Sequence, residues 1–271
     1  MRKFKLWVGR LLAVAVAAFA SAVALPVAAH AGTCTDFWWI EACGELYNGA
    51  STGVAVSDTW CGDNTPRYGD SIPGCTNTYI VSQYDWSSEQ IQDADAFRST
   101  AGCVTKFNVE TLGADGSAWQ ISDSYVDDRR GKSTSKWMKF SDDTKIYVTS
   151  KTCGSMMASH YVQTWADAQG FQDQWCGYLG TNPTTGGGPR CAPNGWLWAA
   201  NNYFYCKVSG GTVSGSGGTW NSWWLLTDLD SWTGDGRAFV SAYYLSGGPN
   251  DTQNNRAAYW NGSAWVDFPN C

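Results

Sequence analysis

The chain of 271 residues carries 18 basic and 24 acidic residues, a formal net charge of −6, with only 15% charged residues against 17 Trp, 13 Tyr and 30 Gly. So acidic a chain has no electrostatic footprint for nucleic acid or an anionic membrane surface. Aromatics and glycines at this level point to short twisted strands, tight turns and surfaces that meet a ligand by stacking.

At the amino terminus Arg2, Lys3, Lys5 and Arg10 precede an apolar run over 11–27 and then Ala29-His30-Ala31. These are the three regions of a secretory signal peptide, 1–31, ending in an A-x-A cleavage site. The run is short for a membrane span, and later apolar runs are cut by Gly, Asn or Asp, so no span is expected in the mature chain. Cleavage leaves Gly32 first and removes four basic residues and no acid, giving −6 − 4 = −10. A secreted chain meets an oxidising compartment, so the ten cysteines read as five disulfides. Zinc spacing is absent, and no metal or cofactor is expected.

After a short segment, 32–42, a first unit over 43–151 opens with Cys43-Gly44, Ala50-Ser51, Val54, Trp60-Cys61-Gly62 and Cys75. Gly53-Val54-Ala55-Val56 and Thr78-Tyr79-Ile80-Val81 carry strand signals. Between Cys75 and Cys103 the pattern predicts one helix over 88–98, with Ser87 as cap, Gln90 as capping-box partner, and Ile91, Ala94 and Phe97 on one edge. The unit closes with Ser135-Lys136-Trp137-Met138-Lys139-Phe140, a turn at Asp142-Asp143, and the strand Lys145-Ile146-Tyr147-Val148.

A second unit over 153–250 repeats the punctuation in order: Cys153-Gly154, Ala158-Ser159, Val162, Trp175-Cys176-Gly177 and Cys191. Met157, Tyr161, Trp165 and Ala168 approach helical spacing, but the matching stretch of the first unit is extended, so 155–169 is read as strand. The glycine runs 186–188 and 210–218 are loops. Tyr203-Phe204-Tyr205 and Arg237-Ala238-Phe239-Val240 are strands. Over 251–271 Ala257-Ala258-Tyr259-Trp260 and Ser263-Ala264-Trp265-Val266 flank Asn261-Gly262, the signature of a type I′ hairpin.

Five matched elements in one order imply a duplicated unit, and matched positions should make matched bonds. The expected pairs are Cys43–Cys103 with Cys61–Cys75, and Cys153–Cys206 with Cys176–Cys191. Cys34 and Cys271 remain to tie the two ends together; the alternative is Cys34–Cys43.

The block from Trp224 to Leu245, and in outline 135–150, resembles the carboxy-terminal half of bacterial SH3-type (SH3b) domains. There a Trp-containing strand, a polar turn and a strand ending in Val-Ser-x-x-Tyr-Leu close a small barrel. The Gly-Trp that usually opens the last strand is Ala238-Phe239 here, and the arginine-containing first strand has no counterpart. The resemblance implies an all-β protein of two tandem SH3-like small barrels, disulfide-stapled and tightly packed, with one short helix in the first unit. It also implies wall binding.

Catalytic signatures are sparse. His160 is the one histidine of the mature chain, and the cysteines are used in bridges, so no catalytic residue is assigned. The glutamates are Glu41, Glu45, Glu89 and Glu110. Asp127-Asp128 and Asp142-Asp143 are neighbours that face opposite sides of a strand and read as turn residues. Asp228-x-Asp230 with Asp235 lacks the closing Glu of a calcium loop. Trp60, Trp137, Trp175 and Trp224 recur in both units and belong to the core. Trp86, Trp119, Trp198, Trp223, Trp232 and Tyr243 are the ligand-binding candidates. The expected function is non-catalytic recognition of peptidoglycan or another cell-surface glycan. The alternatives are an inhibitor or partner of an extracellular enzyme, and a small glycan hydrolase with a carboxylate pair drawn from residues such as Glu45 or Asp128.

Overall fold

The computed structural model describes residues 34–37, 40–61, 66–72, 77–112, 119–176, 193–234, 236–251 and 255–271. The signal peptide, Cys75, Cys191, Asp235 and the glycine run 186–188 lie outside the described residues. The first half forms β1 (Thr35–Phe37), β2 (Ile40–Ala42), β3 (Glu45–Asn48), β4 (Val54–Ser57), β5 (Arg67–Tyr68), β6 (Thr78–Val81), β7 (Ala96–Ser99), β8 (Cys103–Leu112), β9 (Trp119–Asp128), β10 (Lys136–Lys139) and β11 (Thr144–Cys153). The second half forms β12 (His160–Gln163), β13 (Ala168–Gly170), β14 (Gly195–Leu197), β15 (Asn201–Phe204), β16 (Cys206–Ser214), β17 (Trp220–Asp228), β18 (Ser231–Trp232), β19 (Arg237–Ser241), β20 (Ala258–Trp260) and β21 (Trp265–Asp267).

The protein is all-β, as its aromatics and glycines suggest, but its small sheets are set in a four-bladed, propeller-like ring and not in two SH3-like barrels. One sheet runs β5-β10-β7-β4-β6 and a second β3-β11-β8-β9. The reason lies in β11. It pairs β3 in parallel, Lys145 opposite Glu45 and Tyr147 opposite Tyr47, and β8 antiparallel, Lys145 opposite Glu110. The strand that should close a local barrel is therefore shared with a strand from the far end of the first half. The block from Trp224 to Leu245 does pair on itself, Trp224 opposite Ser241. Its third neighbour is β16, and after Ser241 the chain leaves the sheet in a 3-10 turn, Ala242–Tyr244.

Alternation along these strands divides the β3-β11-β8-β9 sheet into two surfaces. Leu46, Ile146, Val148, Phe107 and Val109 face the five-stranded sheet and share one core with Val54, Val56, Val81, Phe97 and Met138. Phe97 meets Phe107 edge-on, ring centroids 5.0 Å apart. On the opposite surface Val104 and Val126 pack against Cys206, Val213, Trp224, Leu226 and Phe239 of the second half. Within the second half the backbone is tight beside this contact: a Cβ at Gly210 would lie 2.0 Å from the Gln174 carbonyl oxygen. Gln174 and Trp175 both donate side-chain N–H groups to the Ser124 carbonyl. Among the described residues this contact does not extend past Ser124 on the opposite surface of the sheet.

Asp228 fastens the halves electrostatically. It accepts from Lys132 at 3.1 Å, from Arg237 at 3.1 Å and from the Tyr205 hydroxyl at 2.8 Å. Arg237 in turn donates to the Arg130 carbonyl across the junction. Burial alone would raise the Asp228 pKa, but Arg237, Tyr205 and Lys132 outweigh it and hold the carboxyl down at about 2.

The disulfides overturn three expected pairings. Cys34 bonds Cys43, Cys103 bonds Cys153 and Cys206 bonds Cys271, in place of Cys43–Cys103, Cys153–Cys206 and Cys34–Cys271. Cys103 and Cys153 are directly opposed partners on β8 and β11, so Cys153 ends the first half's last strand and does not open a second unit. Matched Cys-Gly elements thus occupy unmatched places. Cys61 and Cys176 are also disulfide-bonded; the expected Cys61–Cys75 and Cys176–Cys191 fall partly outside the described residues.

Other local expectations shift for identifiable reasons. The 88–98 helix is replaced by a 3-10 turn, Ser87–Glu89, followed by β7. Ser87 does not cap it, because its hydroxyl accepts from the Leu46 amide, and Asp93 accepts from Gly44; long-range bonds to β3 win over the capping box. Within 155–169 the chain does form β12 and β13. In the last hairpin Trp260 pairs Trp265, leaving four turn residues instead of two. Asn261 accepts from both Ser263 and Ala264 with its own side chain, which holds the wider loop.

Two tests follow from these contacts. Non-reducing peptide mapping should recover Cys34–Cys43, Cys103–Cys153 and Cys206–Cys271, and removal of the last bridge, which spans 65 residues, should cost about 2–5 kcal/mol. Asp228→Asn should destabilise by about 2–3 kcal/mol, since it strands Arg237 and Lys132 at the junction. Because the folded pKa is depressed, the stabilisation from Asp228 is present above the unfolded carboxylate pKa and lost as pH falls from about 4 toward 2; thermal melts of the two proteins should converge over that range.

Candidate functional site

The uncovered part of the β3-β11-β8-β9 sheet is the best-built surface among the described residues. Charge and aromatic residues alternate with core residues on β3 and β11, as Glu45-Leu46-Tyr47-Asn48 and Lys145-Ile146-Tyr147-Val148. Parallel register then puts Glu45 beside Lys145 and Tyr47 beside Tyr147, while antiparallel register puts Glu110 on Lys145's other side. The Lys145 ammonium bonds Glu45 at 2.6 Å and lies 4.6 Å from the centre of the Trp119 ring and 5.4 Å from that of Trp86. Trp86 stands on Tyr47 and Tyr147, centroids 5.2 and 5.3 Å away. The Tyr147 hydroxyl is hydrogen-bonded to Glu110; burial, that bond and the charges of Glu110 and Glu45 push its pKa up to about 12.

The result is a platform of two indoles and two phenols around one cation and two carboxylates, all half-buried. Trp86 reaches it because its backbone bridges Tyr47 just before the 3-10 turn. Such a surface offers ring faces for stacking and charged groups for hydroxyls or amides, with side chains held in place by each other.

Of the aromatic candidates, the fold brings Trp86 and Trp119 together here and scatters the rest. Trp198 is exposed on the second half, its ring parallel to that of Trp196 at 6.3 Å, and its amide donates to Asp230. Trp232 is exposed and lies over Gly236. Trp223 is half-buried under the Lys207 ammonium, 4.4 Å from its ring centre. Tyr243 packs edge-on to Trp165 at 5.6 Å. Trp60, Trp137 and Trp224 are fully buried, as the repeat implies, but Trp175 stays half-exposed at the junction.

The other chemical candidates are committed elsewhere. Asp127 and Asp128 are buried at the end of β9 and are not turn residues; Asp127 holds Lys136 at 2.8 Å, and Asp128 takes Arg130 through both carboxylate oxygens. Asp128 is therefore unsuited to acid catalysis. His160 stacks on Tyr259 at 3.7 Å, and burial lowers its pKa. Asp93, Asp95 and Asp142 bring carboxylate oxygens within 4.8 Å of one another. Burial, then Asp93 and Asp142, push Asp95 up to about 6.

Tyr47, Tyr147, Lys145 and Glu110 were missed as site residues. The signal was present: two four-residue segments share the order charged, aliphatic, Tyr, with opposite charges, as adjacent strands of one face require.

Comparison with known proteins gives no match to any family model, any curated protein or any solved structure. No helix among the described residues is long and apolar enough to cross a membrane.

The acid cluster yields its own test. A raised folded pKa means that Asp95 costs stability once ionised, so stability falls as pH rises from about 4 through 6. Asp95→Asn should raise the melting temperature at pH 7, and the gain should vanish at pH 4.

Proposed function

We propose that this chain is a secreted, non-catalytic glycan-binding protein that acts at the cell surface and holds its ligand on the platform of Trp86, Trp119, Tyr47 and Tyr147. The observation that carries this reading is the Lys145 ammonium, fixed by Glu45 and flanked by two indole rings, with Glu110 and Tyr147 beside it. Sugar rings present flat C–H faces to indoles and hydroxyl edges to carboxylates and amines, so both halves of the platform find a use. The signal sequence and the disulfides suit an extracellular site of action. The resemblance of the Trp224–Leu245 block to wall-binding domains favours peptidoglycan among the glycans.

A second reading is hydrolysis. Glu45 and Glu110 sit on strands either side of β11, a Cα separation of about 10 Å from two strand spacings. An inverting glycosidase places its carboxyl groups about 6.5–9.5 Å apart. Lys145 occupies the space where the attacking water belongs, which favours binding over turnover.

Retention on purified cell walls and on insoluble glycans separates the readings. Wild-type protein should be retained without releasing soluble sugar. Trp86→Ala and Trp119→Ala should each weaken retention about tenfold or more, as for a central aromatic anchor, while Trp232→Ala should leave it unchanged. Absence of retention on every glycan would contradict the proposal. Sugar release that disappears in Glu45→Gln and Glu110→Gln would establish the hydrolase.

A further inference from the structure

The second half carries an open cleft of about 200 Å³ built from different residues: Trp165, Trp220, Tyr243, Leu245, Thr219, Asn221 and Asn250. Trp165 and Trp220 are 53% and 41% exposed, large values for indoles. The Trp165 ring is held open by its own N–H, which donates to the Tyr243 carbonyl at 3.0 Å, and by edge contact with Tyr243. Its exposed face is fixed before any ligand arrives.

The polar side chains around the cleft are occupied by the protein. Asn221 donates to the Arg256 carbonyl and accepts from Trp223. Asn250 donates to and accepts from the backbone of Ala258. Thr219 donates to the Ser216 carbonyl, and the Tyr243 hydroxyl turns toward Thr219 at 3.4 Å. Among the described residues no charged side chain lines the cleft. Beside these engaged polar groups the cleft offers a ligand the exposed indole faces of Trp165 and Trp220, in a cavity smaller than the roughly 300–1,000 Å³ that drug-sized molecules fill.

We propose that this cleft is a site for a small quaternary ammonium group of the choline type, held by cation–π contact with Trp165, Trp220 and Tyr243. A quaternary cation needs no hydrogen bonds, so the occupied amides and hydroxyls cost it nothing. Tryptophan is the strongest of the aromatic partners for such a cation. The acidic chain also concentrates cations at its surface. A sugar relies on a dense set of polar partners, and the amides and hydroxyls here are already engaged by the protein. The inference does not rest on glycan binding by the platform.

Choline chloride and its neutral carbon isostere, dimethylbutanol, titrated separately into the full mature chain by calorimetry and ligand-observed NMR, provide the test. Choline should bind saturably, and the isostere at least about tenfold more weakly, the factor expected for loss of a cation–π contact. Trp220→Ala, at an exposed position, should lose choline binding with its melting temperature preserved. Tyr243→Phe keeps the ring and should keep the binding. No saturable binding of choline to the wild-type chain, equal affinity for the neutral isostere, or unchanged choline affinity in Trp220→Ala would each overturn the site. Glucose in excess should not displace choline; displacement would mark the cleft as a sugar site and equally overturn the proposal.

Discussion

The register of β11 between β3 and β8 is the constraint on which the rest of the molecule depends. One strand supplies Ile146 and Val148 to the first core and Lys145 and Tyr147 to the opposite surface. A slip of one residue would bury a lysine and a tyrosine and expose two aliphatic side chains. The parallel pairing with β3 also brings Glu45 and Tyr47 in from a hundred residues away in sequence. The core and the platform are consequences of the same hydrogen-bond ladder.

The opposite surface of that sheet serves two purposes. Around Val104 and Val126 it is covered by the second half through Trp224, Leu226 and Phe239. Past Ser124, where Gln174 and Trp175 anchor the junction, the surface continues as the platform. The second half therefore acts as a wall at one end of the site. Asp228, with Arg237 and Lys132, holds that wall to the first half. Electrostatics at the junction thus supports geometry at the site, though no junction residue lies on the platform.

Much of the local structure was legible in sequence. Thr78–Val81 forms a strand with the bounds that its β-branched run implies, and the recurring Trp60, Trp137 and Trp224 are core residues. The failures share one cause, competition from distant partners. Ser87 has the look of a helix cap, yet a strand forty residues earlier takes its hydroxyl. The Cys-Gly repeats look equivalent, yet Cys153 is drawn onto β11 opposite Cys103, and no local pattern reports which strand a cysteine will face. At the site, Trp86 and Trp119 were readable as aromatics beside turns. Their meeting over Lys145 depends on parallel pairing, which leaves only a faint trace in the paired segments Glu45-Leu46-Tyr47 and Lys145-Ile146-Tyr147.

The central claim is that this register builds a sugar platform. Its most direct test is a crystal structure of the mature chain with a soluble fragment of the glycan that retains it best. A sugar ring should be stacked on Trp86 or Trp119, with hydroxyls bonded to Glu45, Glu110 or Lys145 and β11 unmoved between β3 and β8. A fragment bound instead on the Trp196–Trp198 surface, with the platform empty, would contradict it.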